Sequence, residues 1–335
     1  ADTYNTAVGY QSGKAVTTGI KNTFIGGLAA DANTIGFNNV AIGYDALGTN
    51  TASGANVAIG YEALKTYNNT TEASHFNTAV GTQAGAALTT GLSNTLIGGL
   101  AGDSLTDADN NTAVGTAALI TDTLGSHSTA VGESALRRQN FTTATDTYNT
   151  AVGSQAGAFV TTGLNNTLIG GLAGDALTDA DNNTAVGKSA LSSETLGSGA
   201  TAIGTGALAT QNFTTAAVSN NTAVGYFSGI GITTGTDNTF VGAFCGDGTN
   251  DGAGNAAFGH NALSGNCGNL NTAMGASALD ICTGANNTAL GTNAGGSVTS
   301  GGDNVFLGVN AGVDQVSSQS SLLFIARAAQ SAGND

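Results

Sequence analysis

The residues of widest chemical reach in this sequence are three histidines, three cysteines and two runs of alternating aspartates. His75, His127 and His260 have no His or Cys partner at zinc-ligand spacing, so each reads as a single histidine on an exposed coil edge. Cys245, Cys267 and Cys282 are too few for a disulfide framework and read as small buried hydrophobes. Thr106-Asp107-Ala108-Asp109-Asn110 returns as Thr178-Asp179-Ala180-Asp181-Asn182. Alternating carboxylates supply the oxygen ligands that Ca²⁺ takes, but no bidentate Glu follows at loop spacing. Asp107, Asp109, Asp179 and Asp181 are therefore candidate Ca²⁺ ligands set against the plainer reading of solvated turns, and no other cofactor is expected. No strand–turn–helix nucleophile motif occurs, and Gly13-Lys14-Ala15 lacks the hydroxyl and the upstream glycine of a phosphate loop. The expectation is a protein that is not an enzyme.

Composition narrows the partners. The chain of 335 residues carries 22 acidic and 7 basic side chains, a net charge of −15. Scattered Lys and Arg in such small number cannot neutralise a phosphate backbone, so neither nucleic acid nor an anionic membrane surface is an expected partner. The apolar runs are too short to span a bilayer. Charged residues make up 9% of the chain, against about 25% in ordinary domains. There are 52 Gly and no Pro, and much of the 40% hydrophobic content is Ala, so any core is thin.

What would position any of these groups is a repeat. Asn-Thr-Ala-Val-Gly at 5–9 recurs eighteen times, starting at 5, 22, 39, 56, 77, 94, 111, 128, 149, 166, 183, 200, 221, 238, 255, 271, 287 and 304. The spacing 17, 17, 17, 21 builds 72-residue superunits that start at 5, 77, 149 and 221. The fourth position is always apolar, the fifth always Gly, and the eighth always small. Thr6-Ala7-Val8 has the alternation of a short strand, with Thr and Val on one face and Ala on the other. Gly9, Gly26, Gly43, Gly98 and Gly170 then mark a corner that needs positive φ or close backbone approach. Asn77, Asn149 and Asn221 open their repeats; Asn tolerates the left-handed region, and stacked copies could form an amide ladder.

A 17-residue unit is too short for a helix pair and too regular for hairpins. It fits one coil of a parallel β-solenoid, in which each coil pairs with the next at about 4.8 Å and no N–H can be given up to Pro. The fold class is thus all-β, about 18 coils of 16–21 residues over 1–312. Residues 313–335 form a C-terminal cap or tail, in which Ser321–Ile325 could cover the last open edge. Four-residue insertions in 65–76, 137–148 and 209–220 recur every four coils and should bulge from one edge, either as a binding face or as tolerated bulges.

The unit at 149–157, Asn-Thr-Ala-Val-Gly-Ser-Gln-Ala-Gly, resembles the head repeats of YadA-like trimeric autotransporter adhesins, and more closely the related repeats of bacteriophage tail fibres. The resemblance runs over about 5–312. It implies a left-handed parallel β-roll, a homotrimer about a threefold axis, and a fibre-forming or adhesive role in an extracellular or virion setting. A cell-surface receptor or glycan is then the expected outside partner. The segment Leu322–Ile325 is similar to a strand that often ends such phage fibres.

Two more readings concern surfaces. The middle strand position is Ala, except for Phe24, Leu96, Leu168 and Phe240, each 72 residues apart. With Val directed to the core, these four, with nearby Gly27-Leu28, Gly99-Leu100 and Gly171-Leu172, are expected as a subunit-contact stripe. The alternative function is ice binding. Fourteen of eighteen repeats carry Thr at the second position, but that column shares its face with Val and is expected to turn partly inward. Finally, Cys267 and Cys282 lie in return segments of consecutive coils. Stacking brings them within the reach of a disulfide, while a one-residue offset could turn them to opposite faces.

Overall fold

A computed structural model describes residues 3–313 and 318–326. Of the expected tail at 313–335, residues 314–317 and 327–335 lie outside the described residues. The protein is all-β, a parallel β-solenoid of about 19 turns of roughly 17 residues. The chain divides into two compact units, Ala1–Asp179 and Ala180–Asp335.

Among the described residues the first unit holds ten coil strands, from Thr6–Val8 and Thr23–Ile25 through Thr95–Ile97 to Thr150–Val152 and Thr167–Ile169. Each is three residues long and pairs in parallel with the next, repeat position on repeat position: Thr6 with Thr23, Ala7 with Phe24, Val8 with Ile25. The described residues of the second unit hold nine, from Thr184–Val186 through Thr239–Val241 to Val305–Leu307 and Leu323–Ile325. The last of these pairs in register with Val305–Leu307, so the ladder runs one rung past residue 312.

The rest of each coil is turn, including the segment after the corner, and it is tied coil to coil by backbone bonds such as Leu28 N to Tyr10 O at 2.9 Å and Gly13 N to Ala29 O at 3.0 Å. The corner glycines sit where only glycine is comfortable: φ is +134° at Gly9, +137° at Gly26, +134° at Gly43 and Gly98, and +131° at Gly170. The insertions are not loose. Thr145–Asp146 pairs with Gly125–Ser126, and Ala217–Val218 with Gly197–Ser198, adding a second short ladder at those coils.

The two strand faces are the reverse of the expectation. Phe24, Leu96, Leu168 and Phe240 are at most 1% exposed, enclosed within their own coils, so they are not a contact stripe between chains. The Val/Ile column faces out instead, with Ile97 at 38% and Ile169 at 39%. The reason is volume. One coil encloses room for the middle side chain and for one residue four positions after the corner glycine. Where the middle is Ala both in one coil and in the next, as at Ala41 or Ala113, that residue is Leu, as at Leu47 or Leu119. Where the middle is Leu96, Gly85 and Gly102 flank it, and a Cβ on either would come within 2.6 or 2.7 Å of the Leu96 methyls. The same exchange surrounds Leu168 and Phe240, so a large middle side chain fills the room left by the glycines of its own and the preceding coil.

Inside, the asparagines form the amide ladder. The backbone N–H of Asn94 donates to Asn77 Oδ1 at 3.0 Å, and that of Asn111 donates to Asn94 Oδ1 at 3.0 Å. Side-chain amides of the ladder also donate across the coil, Asn77 to Gly91 O at 2.9 Å, Asn149 to Gly163 O and Asn221 to Gly235 O at 2.7 Å. The left-handed residue is not Asn but the one before it: Phe76, Tyr148 and Asn220 have φ of 55°, 49° and 49°. A buried Asn thus spends its amide on stacking, and its exposed neighbour takes the turn.

Candidate functional site

In each unit the ladder presents an outward sheet face with two columns, Thr at the first strand position and Val, Ile or a larger apolar residue at the third. In the first unit the column runs through Ile25, Ile97 and Ile169 at 38–39% exposure; in the second, Ile203, Phe258, Met274, Leu290 and Leu307 stand at 39–48%. A row of half-exposed branched and long apolar side chains on a parallel sheet is water-facing surface that a single chain leaves uncovered.

The edges beside this face carry aromatic and charged groups. In the residue row after the corner glycine, Tyr44 and Tyr61 stack with centroids 5.8 Å apart and planes 13° apart. Lys65 Nζ lies 2.7 Å from Glu62 and 3.2 Å from Asp45, and Gln83 Nε2 donates to Glu62 at 3.0 Å. These bonds hold the Glu62 carboxyl below its ordinary range and lift the Lys65 ammonium above its own. In the second unit Tyr226, Phe227 and Phe244 cluster, with centroids 4.2 to 5.9 Å apart and His260 6.1 Å from Phe244. A shallow pocket lined by Glu133, Ser134, Arg137, Gln155, Ala158 and Phe159 adds a further concavity, beside which the Arg138 guanidinium sits 4.3 Å from the Phe159 ring centroid.

The histidines divide. His260 is exposed and His127 half-exposed, its Nδ1 3.0 Å from Asp146 Oδ1 and its ring stacked 5.3 Å from Tyr148. His75 is buried instead of edge-exposed: only 4% of it reaches solvent, burial lowers its pKa, and its Nε2 lies 3.1 Å from Thr71 Oγ1.

The candidate Ca²⁺ aspartates are tied to neighbouring coils. Asp107 accepts from Thr90 Oγ1 at 2.5 Å, Asp109 from Leu92 N at 2.7 Å, and Asp179 from Thr162 Oγ1 at 2.6 Å. The backbone N–H of Asp181 donates to Ser198 Oγ at 2.9 Å. Among the described residues no group of three or more His, Cys, Asp or Glu side chains is placed to hold a metal.

Cys245, Cys267 and Cys282 are buried free thiols. The one-residue offset does not separate the last two: Cys267 Sγ approaches Cys282 O at 2.9 Å. A side-chain hydrogen bond with Cys282 and burial push the Cys267 thiol upward, and burial pushes Cys245 up to about 12.

Two buried carboxylates carry no sequence signal as sites. Glu194 accepts N–H bonds from Thr195, Leu196, Gly197 and Phe213 at 2.6–3.1 Å and the Gln211 amide at 2.9 Å. Asp122, 72 residues earlier, takes bonds from Gln139 Nε2 at 2.6 Å and Phe141 N at 3.0 Å. They stand next to Ser128 and Ala200, the two repeats whose first residue is not Asn. Read as part of the repeat, an acid there looks like one more turn residue.

The chain matches no protein-family model, and the search of curated proteins finds no relative. Among the described residues no helix is long and apolar enough to cross a membrane.

Proposed function

We propose that this chain is a structural and adhesive segment, shaft or head, of a homotrimeric fibre, extracellular or on a virion, and that it is not an enzyme. The observation that carries the reading is the outward column of Val, Ile and larger apolar residues, which a single chain leaves partly exposed coil after coil and 38–48% exposed at positions such as Ile97, Ile169, Phe258 and Leu290. Burial against like faces is the economical way to remove such a surface from water, and a threefold arrangement closes it. The aromatic and carboxylate edges lie beside that face, where a receptor or glycan would be met. The non-enzymatic reading is supported by the use of the buried polar groups: the Asn ladder, Asp122 and Glu194 are spent on coil-to-coil bonds. Light scattering tests the assembly. It should give about three times the 32.4 kDa of the chain, and a stable monomer at micromolar concentration would overturn it.

The outward turn of the Thr column favours a second reading, ice binding. Against it, Val40, Val57, Ala256 and Val305 interrupt the Thr column, and the column beside it is apolar, so no unbroken two-dimensional hydroxyl array forms. A thermal-hysteresis assay separates the two: activity at micromolar protein would favour ice binding, and its absence the fibre.

A further inference from the structure

The edges flanking the outward face hold exposed aromatic side chains and glycines without positive φ. Just before the strand stand Tyr4, Phe76 and Tyr148, exposed by 72%, 63% and 56%. All three take the left-handed backbone, at φ 52°, 55° and 49°. Just after the corner stand Gly27, Gly99 and Gly171, none with a positive φ. A Cβ would meet nothing within 4 Å at Gly99, only a carbonyl oxygen at 3.9 Å at Gly171, and a Tyr44 ring carbon at 3.4 Å at Gly27. Neither backbone strain nor crowding within the chain requires glycine there. Each is followed by a half-buried leucine, Leu28, Leu100 or Leu172.

Both sets recur every 72 residues, and each glycine follows its aromatic by 23 residues, one coil further on. In the fourth superunit both change together, to Asn220 and Ala243. At one coil the sizes are exchanged, with Gly199 in the first column and Tyr226 one coil further on in the second, while Gly254 is followed one coil on by Ala276. A Cβ at Gly199 would meet only ordinary contacts, the nearest at 3.4 Å. Leu270 is exposed in the first column but stands off this period, with Thr292 one coil on.

We infer that the two edges meet between copies of this chain: Tyr4, Phe76 and Tyr148 of one copy seat in the notches at Gly27, Gly99 and Gly171 of the next, against the adjoining leucine, one coil out of step. The inference rests on the trimer reading above and adds its register. Two different edges in contact make a heterologous interface, which closes into a ring when the rotation permits, and a common 72-residue period requires the copies to run parallel. Aromatic rings set against apolar beds remove large areas from water, and matched knobs and notches oppose slippage along an otherwise uniform ladder.

The test uses the full chain carrying Phe76→Cys and Gly99→Cys, treated with a short bis-maleimide, with wild type as the blank because its own thiols are buried. The expected product on denaturing electrophoresis is a covalent trimer. The same-coil pair Ser93→Cys with Gly99→Cys should cross-link at least tenfold less. If the protein is trimeric by light scattering yet the same-coil pair links as well or better, the seating is overturned while the assembly stands. If it is monomeric before treatment, both fall. A size swap adds a second reading. Gly99→Phe alone should weaken association at least tenfold, and adding Phe76→Gly, the order seen at 199 and 226, should restore it; failure of the swap to restore association would contradict the seating.

Discussion

At the residue scale, the solenoid rests on positions where one atom too many cannot be placed. Gly98 has φ +134°, and a Cβ there would lie 2.5 Å from the Gly115 carbonyl oxygen of the next coil. Gly98→Val should therefore destabilise the fold by about 3 kcal/mol or more, combining backbone strain and a clash with main chain that cannot move aside. An unchanged melting temperature would contradict this. Asp103 and Asp175, equivalent residues of two superunits, make a pH prediction. Burial raises both carboxyls above the ordinary range. The folded chain then holds these protons more tightly than the unfolded chain does. The cost of keeping the groups charged is absent below about pH 4, where both states are protonated, and is complete above the folded pKa. Their contribution to stability falls as pH rises through that interval. Asp103→Asn with Asp175→Asn should raise the melting temperature at neutral pH and give a smaller gain near pH 4. An equal effect at both pH values would refute the assignment.

At the element scale, the unit is a single three-residue strand closed by turns. Its period, its corner and its amide ladder were legible because repetition within one chain aligns equivalent residues. Its inside and outside were not. The alternation of Thr6-Ala7-Val8 defines two faces but does not say which is enclosed, and hydrophobicity alone favours Val over Ala. Enclosed volume decides it, since a narrow coil excludes a column of branched side chains. The signal was present in the exchange between columns, where Leu96 brings Gly85 and Gly102 while Ala113 brings Leu119. Such compensation belongs to residues that share one cavity. The buried carboxylates were illegible for a different reason: their partners are mostly backbone N–H groups, which sequence does not distinguish. Glu194→Ala should leave several buried donors unpaired and cost about 3–5 kcal/mol in chemical denaturation. A loss under about 1 kcal/mol would mean that water replaces the carboxylate.

At the scale of the whole molecule, each of the two units leaves the same Thr and Val/Ile face uncovered, and the fibre reading rests on that face. Phe24, Leu96, Leu168 and Phe240 are spent inside, so assembly falls to the third strand position instead of the second. This moves the test of association to residues whose change leaves the coil interior untouched. Ile97 and Ile169 are 38% and 39% exposed, point away from the core and are two of the outward column in the first unit. A carboxylate there adds charge to a surface the single chain already hydrates, but it cannot be buried against a like face without a large penalty. The deciding measurement is the solution mass of the Ile97→Glu, Ile169→Glu double variant beside wild type. The account predicts a trimeric wild type and a folded monomeric variant whose strand signal by circular dichroism is unchanged. A variant that stays trimeric, with the wild type's melting temperature, would contradict it.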